Sequence, residues 1–85
     1  MSRRYLVITE RLPAFDPAAI APHYAFLARL RAERKIELAG PFADRSGGAY
    51  LLRAKSPAEA EALAHSDPLH ATGSSRVTVR EWDAG

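Results

Sequence analysis

The sequence contains no cysteine among its 85 residues. This absence excludes disulfide bonds, thiolate nucleophiles and thiolate metal sites, and it is compatible with a reducing compartment. The apolar run near the N-terminus extends only from Tyr5 to Ile8, which is too short for a signal peptide. No run approaches the roughly 20 apolar residues that a membrane span requires. We therefore expect a cytoplasmic protein without a membrane partner.

Clustered charge of one sign is also missing. The 12 Lys and Arg residues and 10 Asp and Glu residues give a net charge of +2. Basic and acidic side chains alternate, and aromatic residues do not interleave with the basic ones as in a surface that stacks nucleic-acid bases. We predict solvated surface charge and no nucleic-acid partner. The length predicts one small domain, residues 1–85, of a size at which self-association would help stability.

The hydrophobic pattern predicts four strands and two main helices, with a further turn of helix after Pro68. The predicted strands are 4–10, 36–42, 49–54 and 75–82. The first predicted helix begins near residue 21 and ends at 35, and the second extends from 56 to 66. Ser56 and Glu59 fit a capping box at the start of the second helix. Pro22 should make the first turn of the first helix irregular. Gly47 and Gly48 belong to a hairpin turn, since no lysine follows as in a phosphate-binding loop.

The order of these elements is β-α-β-β-α-β, which is typical of an α+β, ferredoxin-like fold with a four-stranded antiparallel sheet. Both helices should cover one face of the sheet. Apolar side chains nevertheless point to both faces: in the first strand, Tyr5 and Val7 alternate with Leu6 and Ile8. An apolar open face indicates an interface. We therefore predict a homodimer that packs sheet against sheet.

Three segments resemble the YciI-like (YCII-related) family: HYAFLARLRAERKIELAGPF, SPAEAEALAHSDPLHATG and the closing VTVREW. The similarity covers roughly residues 5–82. Its pieces are His23 before an amphipathic helix, the Ala-Gly-Pro step at 39–41, the Ser-Asp-Pro step at 66–68, and Trp82 near the end of the last strand. None is specific alone, and their order and spacing together identify the family.

This resemblance implies a dimeric α+β barrel with an active site built around His23 and Asp67. A carboxylate that accepts the proton of one imidazole nitrogen fixes the tautomer and makes the other nitrogen a better base. Such a pair suits cofactor-free proton transfer, in a lyase or isomerase acting on a small phenolic or acidic molecule. In this family, the associated lyase chemistry includes elimination of chloride from a chlorinated hydroxyquinol.

Two other interpretations of Asp67 follow from its immediate neighbours. An Asp before Pro68 commonly caps a helix, and in that case Asp67 has a purely structural role. A metal site formed with His65 and His70 is disfavoured, because the Asp-Pro step separates the two imidazoles and no further ligands complete a tetrahedral set. We therefore predict no metal and place His70 at the edge of a substrate pocket.

The remaining predicted pocket residues are Tyr5, Leu38, Gly40 and Pro41, with Trp82 as a weaker candidate. The alternative to an enzyme is a non-catalytic dimer that binds a small ligand or serves as an accessory domain. Family members often carry a basic residue shortly before the histidine, whereas here the segment DPAAIAP precedes His23. The candidates to replace that contact are Arg4, Arg53 and Arg80.

Overall fold

The computed structural model describes residues 3–84, which form four strands, three α-helices and one short 3-10 helix. The strands are β1 (Arg3–Arg11), β2 (Ile36–Pro41), β3 (Gly47–Ala54) and β4 (Ser75–Glu81). The helices are α1 (Ile20–Ala32), α2 (Pro57–His65) and α3 (Pro68–Ala71), and the 3-10 turn is Pro17–Ala19. Within the described part of the chain, no helix has the length and apolar character needed to cross a membrane.

The four strands form one antiparallel sheet in the order β2-β3-β1-β4. This order and the two helical connections confirm the predicted ferredoxin-like α+β fold. The register places Tyr5 opposite Leu52 on one side and opposite Glu81 on the other. A β-bulge interrupts β2 between Ile36 and Leu38. Directly paired residues share a face of the sheet, so this register decides which side chains meet the helices.

Local signals explain where the helices begin. The side chains of Asp16 and Ser56 accept hydrogen bonds from the backbone N–H of Ala18 and Glu59, at 2.9 and 3.2 Å. The chain forms a 3-10 turn directly before α1, which matches the irregular start that Pro22 predicts. Because α1 begins at Ile20, the missing N–H of Pro22 lies in the first turn of that helix. The first helix ends at Ala32, three residues before the predicted end.

The core lies between the helices and one face of the sheet. Tyr5, Val7 and Leu52 are almost completely buried on this face. Helix α1 contributes Phe26, Leu27 and Leu30, and α2 contributes Ala60 and Ala64. Helix α2 therefore packs on the sheet through small side chains and α1 through large ones, with the Phe26 ring centroid 6.4 Å from that of Tyr50 on β3.

The other face of the sheet has no helix over it within residues 3–84. Leu38 is 70% exposed and Trp82 is 49% exposed. Half-buried Leu6 and Ile8 lie on this face because they alternate with Tyr5 and Val7 along β1. At one end, Glu37 forms ion pairs with Arg4 and Arg53. We call this surface the open face.

Candidate active site

Asp67 is the N-cap residue that directly precedes α3. Its Oδ1 accepts a hydrogen bond from the backbone N–H of Leu69 at 2.9 Å. Pro68 follows at the first helical position, where its missing N–H costs nothing. The Asp67 side chain is fully buried. A buried carboxylate requires strong donors around it, and the fold supplies them from two other elements.

The first of these donors is His23, which lies in the first turn of α1. Its Nδ1 lies 2.8 Å from Oδ1 and 3.0 Å from Oδ2 of Asp67, although the two residues are 44 positions apart. The His23 side chain retains 14% exposure while Asp67 has none. Since the carboxylate accepts the proton on Nδ1, the neutral imidazole carries its free lone pair on Nε2.

The second donor is Tyr50 on β3. Its hydroxyl donates to Oδ2 of Asp67 at 3.1 Å. Burial, and then the negative charge of Asp67 and the hydrogen bond to it, raise the pKa of Tyr50 well above its usual range. Tyr50 therefore remains a protonated donor throughout the physiological range. Together, His23, Tyr50 and the N–H of Leu69 surround both oxygens of the carboxylate.

A cavity of about 250 Å³ lies beside this network, between α1 and the ends of the strands. His23 and Tyr50 form part of its wall, whereas Asp67 lies behind them and does not line it. Apolar surface comes from Phe15, Ile20 and Leu27. This volume suits a small organic molecule, with the His23 imidazole in the wall and a buried carboxylate behind it.

Glycine at position 48 allows two strands to approach closely where they line the cavity. A Cβ at Gly48 would lie 2.6 Å from the carbonyl oxygen of Gly40. The Thr9 hydroxyl accepts a hydrogen bond from the backbone N–H of Gly48 at 3.1 Å. Strands β2 and β3 therefore approach closely at the cavity, and Gly40, Pro41 and Gly48 all line it.

The predicted site residues fall into three groups. His23 and Asp67 are brought into contact, and Gly40 and Pro41 line the cavity beside His23. The other four predicted pocket residues lie elsewhere. Tyr5 is in the core, Leu38 and Trp82 are on the open face, and His70 is exposed and stacks on His65 with 4.3 Å between ring centroids. No cluster of three or more metal-ligating side chains occurs in residues 3–84.

Several cavity residues escaped the sequence analysis. Arg31 lies two helical turns after His23 and lines the cavity with Leu27, so the helical period alone could have found it. Tyr50 faces the helices because strand side chains alternate, but its contact with Asp67 depends on where α3 is placed. The residues Arg4, Arg53 and Arg80, considered above as ligand contacts, do not line the cavity.

The comparisons with known proteins agree with this architecture. The model of the YCII-related domain matches residues 4–83. YjpA, an uncharacterized protein of Bacillus subtilis (strain 168), is 47% identical over 78 residues, which is 92% of each protein. The 5-chloro-2-hydroxyhydroquinone dehydrochlorinase TftG of Burkholderia phenoliruptrix AC1100, in complex with 2,5-dihydroxybenzoquinone, superposes with a TM-score of 0.75. That likeness covers 96% of this chain and 95% of TftG at 24% identity, and it shows a shared fold. The chain therefore belongs to the YCII-related family, as the sequence motifs indicated.

Proposed function

We propose that this protein is a cofactor-free lyase or isomerase that transfers a proton between His23 and a small phenolic or acidic molecule. The observation that carries the proposal is the 2.8 Å contact between His23 Nδ1 and the buried Asp67, at the wall of a cavity. Asp67 orients the imidazole and stabilises its protonated form. Nε2 is then the atom that accepts or returns the proton.

The fold likeness to TftG supports a phenolic substrate class for this proposal. TftG is a dehydrochlorinase of a chlorinated hydroxyquinol and binds 2,5-dihydroxybenzoquinone. In an elimination of this kind, one hydroxyl group becomes a ketone as its proton is transferred to the ring carbon that bears chlorine. A second hydroxyl group then loses its proton to the base, the electrons shift through the ring, and chloride leaves with the electron pair of its bond to carbon, which yields a quinone. His23 is the base in our proposal, and solvent removes the proton afterwards. Tyr50 and Leu69 keep the Asp67 carboxylate fixed during both transfers.

The test is an assay for proton transfer itself. Purified protein is incubated in D₂O with 5-chloro-2-hydroxyhydroquinone and with related hydroxylated benzenes, and chloride release and ring deuteration are followed. We expect His23→Gln to abolish both reactions while the protein stays folded. The matched control is His70→Gln, because His70 is exposed and does not line the cavity. This control should retain full activity.

The Asp67→Asn variant gives a second, independent readout. An asparagine can still accept from Leu69, but it no longer requires a proton on His23 Nδ1. We expect ¹⁵N NMR of the neutral imidazole to show a shift of the proton from Nδ1 toward Nε2, together with loss of proton transfer. A His23 tautomer that is the same in both proteins would contradict the proposed role of Asp67. Ligand binding without turnover in the unmodified protein would favour the alternative, a non-catalytic binding or accessory domain.

We further propose that the functional unit is a homodimer formed through the open face. A chain of 85 residues builds only a small core, and Leu38 and Trp82 expose apolar surface on the side without helices. A second copy of the same sheet covers this surface symmetrically. The cavity lies on the side of the sheet that the helices cover, so both copies keep their sites accessible.

A further inference from the structure

Arg11 and Ser75 form one part of the cavity wall beside the proposed site. They are direct cross-strand partners at the junction of β1 and β4, so their Cβ atoms lie about 5 Å apart on the same face of the sheet. The loop after β1 is tied to this point. The backbone N–H of Leu12 donates to the carbonyl of Ser74 at 3.0 Å, and that of Asp16 donates to the Ser74 hydroxyl at 3.1 Å.

The hydroxyl of Ser75 is buried without a hydrogen-bond partner in residues 3–84. Ser75 as a whole is only 4% exposed. Most buried polar atoms in proteins have a partner, and leaving one unpaired lowers the stability of the folded chain. Its neighbour Ser74, by contrast, is fully engaged with the loop after β1 and with Thr72. Because Ser75 lines the cavity, rotation about its Cα–Cβ bond is the only movement needed to turn this unpaired hydroxyl from just behind the wall toward a group that enters from outside.

The guanidinium of Arg11 is held by the aromatic ring of Phe15. Its Cζ lies 4.3 Å from the ring centroid. A guanidinium held over an aromatic ring in this way still has N–H groups available for a planar anion. No carboxylate in the described residues forms an ion pair with Arg11.

The charge of the cavity wall is positive. Arg11 and Arg31 both line it, and none of the residues that line it is an Asp or Glu. The single buried carboxylate nearby, Asp67, already accepts hydrogen bonds from three donors. An anionic ligand would therefore find two guanidinium groups without a competing negative charge at the wall.

We propose that the ligand of this cavity carries a carboxylate, which binds between the guanidinium of Arg11 and the hydroxyl of Ser75. The inference rests on the proposed function, because it takes the cavity beside His23 as the ligand site. Arg11 donates from its edge, Ser75 donates through its otherwise unpaired hydroxyl, and Arg31 adds a second positive charge. The substrate class then narrows to hydroxylated aromatic or comparably small acids.

The test compares two probes that share a 1,4-dihydroxybenzene ring and differ by one carboxylate: 2,5-dihydroxybenzoate and hydroquinone. Calorimetric titration should show the carboxylate probe binding at least about tenfold more tightly. We expect Arg11→Gln to remove most of this preference and Ser75→Ala to reduce it about threefold, with hydroquinone affinity unchanged. Ser75→Ala removes an unpaired hydroxyl, so this variant should fold as well as the unmodified protein.

The matched control is Arg76→Gln, which removes the same charge one residue after Ser75. Arg76 is exposed and does not line the cavity, so its loss should leave the preference intact. Equal affinity for both probes, an equal effect of Arg11→Gln on both, or no binding of the carboxylate probe at millimolar concentration would each overturn the inference.

The outcome is separable from that of the proposed function. A carboxylate preference that depends on Arg11, without proton transfer that depends on His23, supports the anion site and refutes the enzyme. Proton transfer that depends on His23, without a carboxylate preference, supports the proposed enzyme and refutes the anion site.

Discussion

The hydroxyl of Tyr50 donates a 3.1 Å hydrogen bond to the carboxylate of Asp67. This contact joins β3, in the middle of the sheet, to the start of α3. The two oxygens of the same carboxylate also lie against Nδ1 of His23. The Tyr50 ring itself lies in the core, with 3% exposure, and its centroid is 6.4 Å from that of Phe26. The site is thus anchored in the same packing that stabilises the domain.

The Tyr50→Phe variant should lower the free energy of unfolding by about 1–2 kcal/mol near neutral pH, because a hydrogen bond to a buried carboxylate is lost. The pKa of Tyr50 is raised in the folded protein above the value near 10 of the unfolded chain. The stabilisation is therefore complete below about pH 10 and declines as the pH rises through the folded-state value. The difference between the two proteins should narrow in that range by at most about 1.4 kcal/mol per pH unit.

Urea unfolding at about pH 8, 10 and 11 measures this difference. The control is Tyr24→Phe, which removes a hydroxyl from a tyrosine that is 55% exposed and should change the free energy of unfolding little. A difference between Tyr50→Phe and the unmodified protein that stays constant above pH 10 would count against the hydrogen bond.

The N-cap residues of α2 and α3 allow a comparison between a side chain that only caps a helix and one that also binds other residues of the candidate site. Ser56→Ala removes only the cap of α2 and should cost about 1 kcal/mol. Asp67→Ala removes the cap of α3 and also leaves His23 and Tyr50 without their acceptor, so we expect a loss of about 2–4 kcal/mol. Chemical denaturation of the two variants measures both values. Equal losses would mean that Asp67 acts as a cap alone.

The close approach of β2 and β3 predicts different tolerances at two glycines. Gly48→Ala places a methyl group 2.6 Å from the carbonyl oxygen of Gly40 and should lower stability by about 1–3 kcal/mol. Gly40→Ala meets no atom within 4 Å and should be nearly neutral. Thermal melting distinguishes the two. A stable Gly48→Ala variant would show that the strands can separate at the cavity.

The proposed dimer predicts that a charge introduced on the open face separates the copies. Leu38→Glu should weaken dimerisation at least about tenfold, since the carboxylate would be buried against the partner sheet. The control, Ala62→Glu, adds the same charge to the exposed side of α2. Sedimentation velocity over a range of concentrations reads out both. A protein that is monomeric before any substitution would refute the dimer.

Much of the fold could be predicted from the sequence because its signals are local. Alternation in β1, the cap at Ser56 and the proline that follows it each act over a few residues. The end of α1 was placed too late, since Arg34 adopts a positive φ of 61° there without the glycine that usually marks such a turn. Local patterns also do not distinguish the strand residues that line the cavity from the other residues of the sheet.

For the candidate site, the family motif suggested the pair that the fold brings together. His23 and Asp67 were predicted from the motif, and their roles stay predictions until proton transfer is measured. Tyr5, Leu38 and Trp82 were predicted to line the pocket, but a single sequence does not reveal where the helices leave space beside the sheet. Arg11 and Ser75 meet only through the β1–β4 register, which a single sequence does not reveal.

Asp67 both caps α3 and accepts the hydrogen bond of Tyr50, and this affects what its presence in a related chain indicates. Because the carboxylate starts α3 and holds Tyr50, a descendant that no longer needed the chemistry would still lose stability without it. His23 contributes less to the architecture, as it remains partly exposed at the cavity wall. The histidine is therefore the informative position: its replacement beside a retained aspartate would mark a chain that kept the scaffold without the proposed proton transfer.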